Sequence, residues 1–141
     1  MAVGKWVFPA DSKKEIVNGT IDLTSDIMMV LFVDTWAPQL AYATTHEVAT
    51  ANGYTRGGEA CALTIAEAGG TVKVSFATPV EWTAAGGSIV FRYGALINDD
   101  SNKVIAYFLG DDSPADVTVP DGSDLTVTCH ADGVFTIANP A

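Results

Sequence analysis

SIVFRYGALINDDSNKVIAYFL, Ser88 to Leu109, is the stretch whose reading decides the fold class. Ile89, Phe91, Tyr93, Ala95 and Ile97 fall on one parity, with Ser88 and Arg92 on the other. This is the period-two pattern of a β-strand. The polar cluster Asn98, Asp99, Asp100, Ser101, Asn102 interrupts it, and a second apolar run begins at Val104. Strand, polar turn, strand reads as one long β-hairpin. Arg92 shares its parity with Val90 and Leu96, so it needs a wet sheet face or an acidic partner such as Glu59 or Glu81.

Working outward from the hairpin, the same reading finds further strands. Pro79 to Trp82 is an edge segment, with Trp82 a structural residue, and Ala84 to Gly87 a small-residue turn. Before it, Glu59 to Ala66 alternates through Cys61, Leu63 and Ile65, Gly69-Gly70 turns the chain, and Thr71 to Phe76 alternates back as a second hairpin. DIMMVLFVD, Asp26 to Asp34, is apolar on both parities and reads as a central strand covered on both faces. Thr20 to Leu23 reads as a short strand, and Asn18-Gly19 as a turn. Lys13 to Val17 is as consistent with a helical turn as with a strand, and Lys5 to Phe8 reads as a short strand or docking arm that can reach another molecule. After the hairpin come the acidic loop Gly110 to Ala115, then strands at Asp116 to Val119, Leu125 to His130 and Val134 to Ala138.

The expected architecture is all-β: one domain over residues 13–141 behind an N-terminal arm over 1–12, with eight or nine mostly antiparallel strands in a β-sandwich or jelly-roll-like barrel. Both arrangements bury alternating strands between two sheets, and the sequence does not distinguish them. The longest irregular segment, Thr35 to Gly58, carries Trp36, Tyr42 and Tyr54, and a loop of that length is more often functional than accidental. Within it, Thr44 and Glu47 have the offset of a capping box.

Composition narrows the function classes. The chain has 141 residues, 48% hydrophobic and 17% charged, enough for a single core without disulfide staples. Seven Lys and Arg stand against 17 Asp and Glu, a formal net charge of -10, so nucleic acid and anionic membranes are not expected partners. No apolar run approaches the ~20 residues that span a bilayer. MAVGKWVFPADSKK lacks a continuous apolar segment after its lysine, a poor secretion signal, which points to synthesis in the cytoplasm. Cys61 and Cys129 are far apart, lack metal-ligand spacing and share parity with apolar neighbours, so both read as small core residues rather than a disulfide or a reactive pair.

No catalytic constellation emerges. The two histidines, His46 and His130, are not placed beside a nucleophile, and His130 alternates outward from Cys129. The acidic pairs Asp99-Asp100, Asp111-Asp112 and Asp121 with Asp124 lack full calcium-loop spacing and read first as turn formers. There is no P-loop, dinucleotide fingerprint or zinc pattern, and no cofactor or metal site is expected. An enzyme, for example a glycan hydrolase drawing on Glu47, Glu59 or Glu81, is the weakest class.

Three stretches resemble a family of small virion-associated proteins of tailed bacteriophages, encoded near the head genes. They are NGTIDLTSDIMMVLFVD (Asn18 to Asp34), THEVATANGYTRGG (Thr45 to Gly58), and VEWTAAGGSIVFRYGALIND followed by KVIAYFLG, with Trp82, Arg92, Tyr93 and Gly110 at expected places. Together they span most of residues 13 to 138. The chain departs from that pattern inside DIMMVLFVD, where a lysine is expected between the apolar residues.

The resemblance implies a structural protein of the virion and, among such roles, a head decoration or cement protein. Such a protein would sit on the capsid surface, bind the major capsid protein, stabilise the lattice and self-associate as a homotrimer, with no enzymatic activity. On this reading Trp6, Phe8, Trp36, Tyr42, His46 and Tyr54 make lattice and intersubunit contacts, and Arg92 and Trp82 are structural. The alternative is a tail, neck or fibre component with a receptor- or carbohydrate-binding role, displaying Trp36, Tyr42 and Tyr54.

Overall fold

The apolar run Asp26 to Asp34 becomes the centre of the molecule in a computed structural model that describes residues 5–140. Its core is β1 (Ile27–Phe32), flanked by β2 (Glu59–Ala60) and β7 (Tyr93–Asn98), with β8 (Lys103–Leu109) completing a four-stranded antiparallel sheet in the order β2-β1-β7-β8. Ile27, Met29 and Leu31 enter the larger core, and Val30 and Phe32 enter a smaller core on the opposite face. Met29 to Phe32 are fully buried, as expected of a strand covered on both sides. Each such side chain contributes about 2 kcal/mol of burial, which explains why a lysine has no place here.

The hairpin is present but shorter than its alternation suggests. β7 and β8 pair antiparallel across a four-residue turn at Asp99 to Asn102, with a bulge where Leu96 faces Ala106 and Ile97 faces Val104. Upstream the strand breaks at Arg92. Ile89–Phe91 forms a separate strand, β6, which pairs with β9 (Val117–Val119) in another sheet. The bend is anchored by the Arg92 N–H donating to Phe32 O, and by the Gly110 N–H donating to Arg92 O. Residues of one sequence parity therefore divide between two cores: Ile89 and Phe91 in the larger, Ala95 and Ile97 in the smaller. Gly94 permits the crossing, because a Cβ there would overlap the Phe108 ring.

The other strands form small antiparallel sheets. β3 (Thr64–Ala68) and β4 (Thr71–Ser75) make the second hairpin, and Gly69 and Gly70 supply the two positive φ values that its two-residue turn demands. β11 (Phe135–Ile137) pairs with the other edge of β4, and β5 (Val80–Thr83) pairs with β10 (Asp124–Val127). The result is a single all-β domain whose described residues hold eleven short strands rather than eight or nine, because two expected strands are split. One split is at Arg92; the other divides Glu59 to Ala66 into β2 and β3, which lie in different sheets. Thr20 to Leu23 is not a strand: Asp22 folds back to accept hydrogen bonds from the Thr24 N–H and hydroxyl, closing a turn.

The arm docks on its own domain. Val7 exchanges two backbone hydrogen bonds with Tyr107 at the edge of β8, and the Trp6 ring stands edge-on to Phe108 and Phe76. Lys13 to Val17 resolves to a helix, α1 (Ser12–Val17), and the buried Ser12 hydroxyl donates to Ile105 O. Residues 5–12 thus cover the edge of β8 and part of the core. Residues 1–4 of the expected arm lie outside the described residues.

Candidate interaction surface

The long loop is held by a carboxylate. After β1 the chain runs through a 3-10 turn (Thr44–His46), and Glu47 follows it with its side chain turned inward. Tyr54 Oη donates to Glu47 Oε1 at 2.6 Å, the Gly57 N–H donates to the same oxygen at 2.7 Å, and Tyr42 Oη donates to Oε2 at 2.7 Å. Tyr54 Oη also accepts the Leu31 N–H, tying the loop to the middle of β1. No cation forms an ion pair with Glu47 among the described residues. The offset of Thr44 and Glu47 therefore does not make a capping box, since the carboxylate is engaged by two phenols instead. Burial, and then the Glu47 carboxylate, raise both the Tyr42 and Tyr54 hydroxyls above their ordinary pKa.

These contacts correct the expectation for the loop aromatics. Tyr54 is 1% and Trp36 is 4% exposed, so neither ring is free to anchor a partner or to display to a sugar. Trp36 stacks on Phe32 at 4.2 Å and 4°, roofing the smaller core, and Tyr54 lies against Trp82 in the larger one. Tyr42 is half-buried with its hydroxyl committed to Glu47, and half-buried His46 has Nδ1 3.0 Å from the Thr35 hydroxyl. Of the two residues expected to be structural, Trp82 is buried, while Arg92 is half-buried and paired through Nε with Asp116 at 3.0 Å. The Arg92 partner is therefore neither Glu59 nor Glu81. It arrives on the loop before β9, a neighbour only because β6 pairs with β9.

The arm residues are partly available. Trp6 and Phe8 are half-buried: Trp6 packs inward, and Phe8 lies edge-on to Phe135 with the Lys13 ammonium over its ring at 5.3 Å. Phe8 opens onto a groove of about 310 Å³ between α1 and β11, where Ile16, Val17, Phe135 and Ile137 form the apolar lining. Val17 is 82% and Ile137 53% exposed, the two most exposed large apolar side chains among the described residues. Sequence reading did not single them out; the usable signal was an apolar Ile16-Val17 pair in a helix too short to bury both. Charge is also uneven. Residues 5–17 carry three lysines and two acids, whereas residues 18–141 carry four cations and fifteen acids.

The remaining polar residues serve local structure. Asp111 accepts from the Ser113 N–H and hydroxyl, Asp121 from the Gly86 N–H and Asp124 from the Thr83 hydroxyl. Among the described residues no group of three or more His, Cys, Asp or Glu is arranged to hold a metal ion. Cys61 and Cys129 are both free, and burial, with a smaller contribution from Cys129, pushes the Cys61 thiol up to about 12, where it is no nucleophile at neutral pH. Glu59 and Glu81 are exposed while Glu47 is buried. No helix among the described residues is long and apolar enough to cross a membrane. No family model, curated protein or solved structure matches this chain.

Proposed function

We propose that this protein is a structural component of a bacteriophage virion, a decoration protein that binds the outer surface of the head and stabilises the capsid lattice. The observation that carries the reading is the face formed by Val17 and Ile137 beside the Phe8 groove. It presents exposed apolar side chains, with Lys13 and Lys14 beside them, on a body that is otherwise strongly acidic. An apolar centre with a charged rim is the anatomy of a docking patch, and the acidic remainder keeps a protein of high copy number soluble before it binds. The partner is the major capsid protein, through a surface that brings acidic groups to Lys13 and Lys14, and neighbouring copies associate as a homotrimer on that lattice. The sequence resemblance supports the same reading.

The test is binding to purified undecorated heads, scored by copies per particle. Hundreds of copies are expected for the unaltered chain, and Val17→Asp with Ile137→Asp should abolish binding without unfolding the domain, because both side chains already face water. Binding of the double variant at undiminished stoichiometry would refute the assigned surface. Absence from head particles altogether would refute the role.

A further inference from the structure

The outer face of the central sheet is not fully roofed. Next to the Phe32–Trp36 stack, Tyr93 of β7 and Tyr107 of β8 stand edge-on to the Trp36 ring, with centroids at 5.3 and 5.6 Å. The two phenols meet each other at 6.2 Å and 72°, forming an aromatic corner backed by a buried indole. Beyond that corner lies a cleft of about 670 Å³, within the range of small-molecule sites. Its other apolar walls are Val7 of the docked arm, Pro38 of the long loop, Leu109 at the end of β8 and Pro114 of the acidic loop, so segments distant in sequence converge on it. Three polar side chains also line it: Lys5, Asp112 and His130.

We infer that this cleft is a saccharide-binding site, sized for one or two pyranose rings, with Tyr93 and Tyr107 as the platform. A sugar presents an apolar C–H face and a rim of hydroxyls. The aromatic corner suits the first, and the mixed rim of donors and acceptors suits the second. His130 accepts the Asp132 N–H at Nδ1, 3.1 Å away, which leaves Nε2 to carry the ring hydrogen and act as donor. Lys5 donates, the Asp112 carboxylate only accepts, and the two phenol hydroxyls do either. Asp112 discriminates against the other ligand that aromatic grooves commonly take, a proline-rich segment. A run of prolines offers carbonyl acceptors and no N–H, so it would make no use of the carboxylate, whereas vicinal hydroxyls donate to it. The site is independent of the Val17 and Ile137 surface and of where in a virion the chain resides.

The experiment is saturation-transfer NMR on the full chain with glucose, galactose, mannose, N-acetylglucosamine, maltose, lactose and chitobiose. A proline decapeptide serves as the competing probe. At least one saccharide should bind saturably with a Kd of about 1 mM or tighter. Tyr107→Leu should weaken it about tenfold or more, and Asp112→Asn, a change at an exposed position that leaves packing untouched, several-fold; Val17→Asp should change nothing. Binding of the decapeptide with no saccharide bound would overturn the inference, as would no binding up to tens of millimolar, or saccharide binding that Asp112→Asn and Tyr107→Leu both leave unaltered.

Discussion

Replacing Glu47 by alanine tests the account of the long loop, because that carboxylate gathers Tyr42, Tyr54 and the Gly57 N–H around one buried acceptor, and Tyr54 in turn is bonded to β1. In the native fold it accepts three hydrogen bonds, two from phenols and one from the Gly57 N–H. Glu47→Ala leaves the Tyr54 hydroxyl and the Gly57 N–H without an acceptor. Each orphaned buried donor costs about 1–3 kcal/mol. Tyr42 is half-buried and turns to water, so its loss adds little. Relief from burying an unpaired carboxylate offsets part of the cost, giving a net destabilisation of about 3 kcal/mol. For a domain of this size that is roughly a 10 °C fall in Tm.

Glu47→Gln separates hydrogen bonding from charge. Its amide oxygen accepts from Tyr54 and Gly57 while its NH2 donates to the Tyr42 oxygen, so it should cost about 1 kcal/mol or less. Urea unfolding followed by tryptophan fluorescence, with an unchanged m-value, is the measurement. A Glu47→Ala loss below about 1 kcal/mol, or a Gln variant as unstable as the Ala variant, would show that the three hydrogen bonds do not hold the loop.

Four other expectations follow from the same structure. Alkaline pH should unfold the protein: the folded-state pKa values of Tyr54 and Cys61 lie above their unfolded values of about 10 and 9, so their stabilising effect is whole below those values and declines as pH rises past them. Tyr54 alone contributes a slope of about -1.4 kcal/mol per pH unit above pH 10, and a flat profile of stability between pH 9 and 11 would contradict its burial. Gly94→Ala should cost about 2–3 kcal/mol by overlap with Phe108, and Phe108→Leu in the same chain should restore part of it in a double-mutant cycle. Asn98→Ala should cost about 2–4 kcal/mol by chemical denaturation, since this buried amide donates to Asp22 O and Ser25 O and accepts from the Ser101 N–H and hydroxyl, fastening the hairpin turn to the loop before β1. Arg92→Ala should change stability by less than about 1 kcal/mol, because its pair with Asp116 is open to solvent at the Asp116 end and only half-buried at Arg92; a larger loss in thermal unfolding would assign the residue a core role.

Local chemistry determined much of this protein. An apolar run on both parities has to be covered twice, and β1 is. Gly69-Gly70 can supply a two-residue turn with positive φ, and the polar run Asp99 to Asn102 makes the turn of the long hairpin. Those features need no distant partner, and they were legible as an all-β chain of antiparallel hairpins. What tertiary structure decided depends on residues far apart in sequence. Arg92 breaks the long strand because Phe32 O and the Gly110 N–H claim its backbone, so side chains of one parity serve two cores. Trp36 and Tyr54 look like display residues in a loop, yet β1 and a buried Glu47 draw them inward. The cleft beside Tyr93 and Tyr107 exists only because the arm, three loops and two strands meet there. Alternation records which residues avoid water, but it carries no record of which surface excludes the water, and that is settled only when the strands pair.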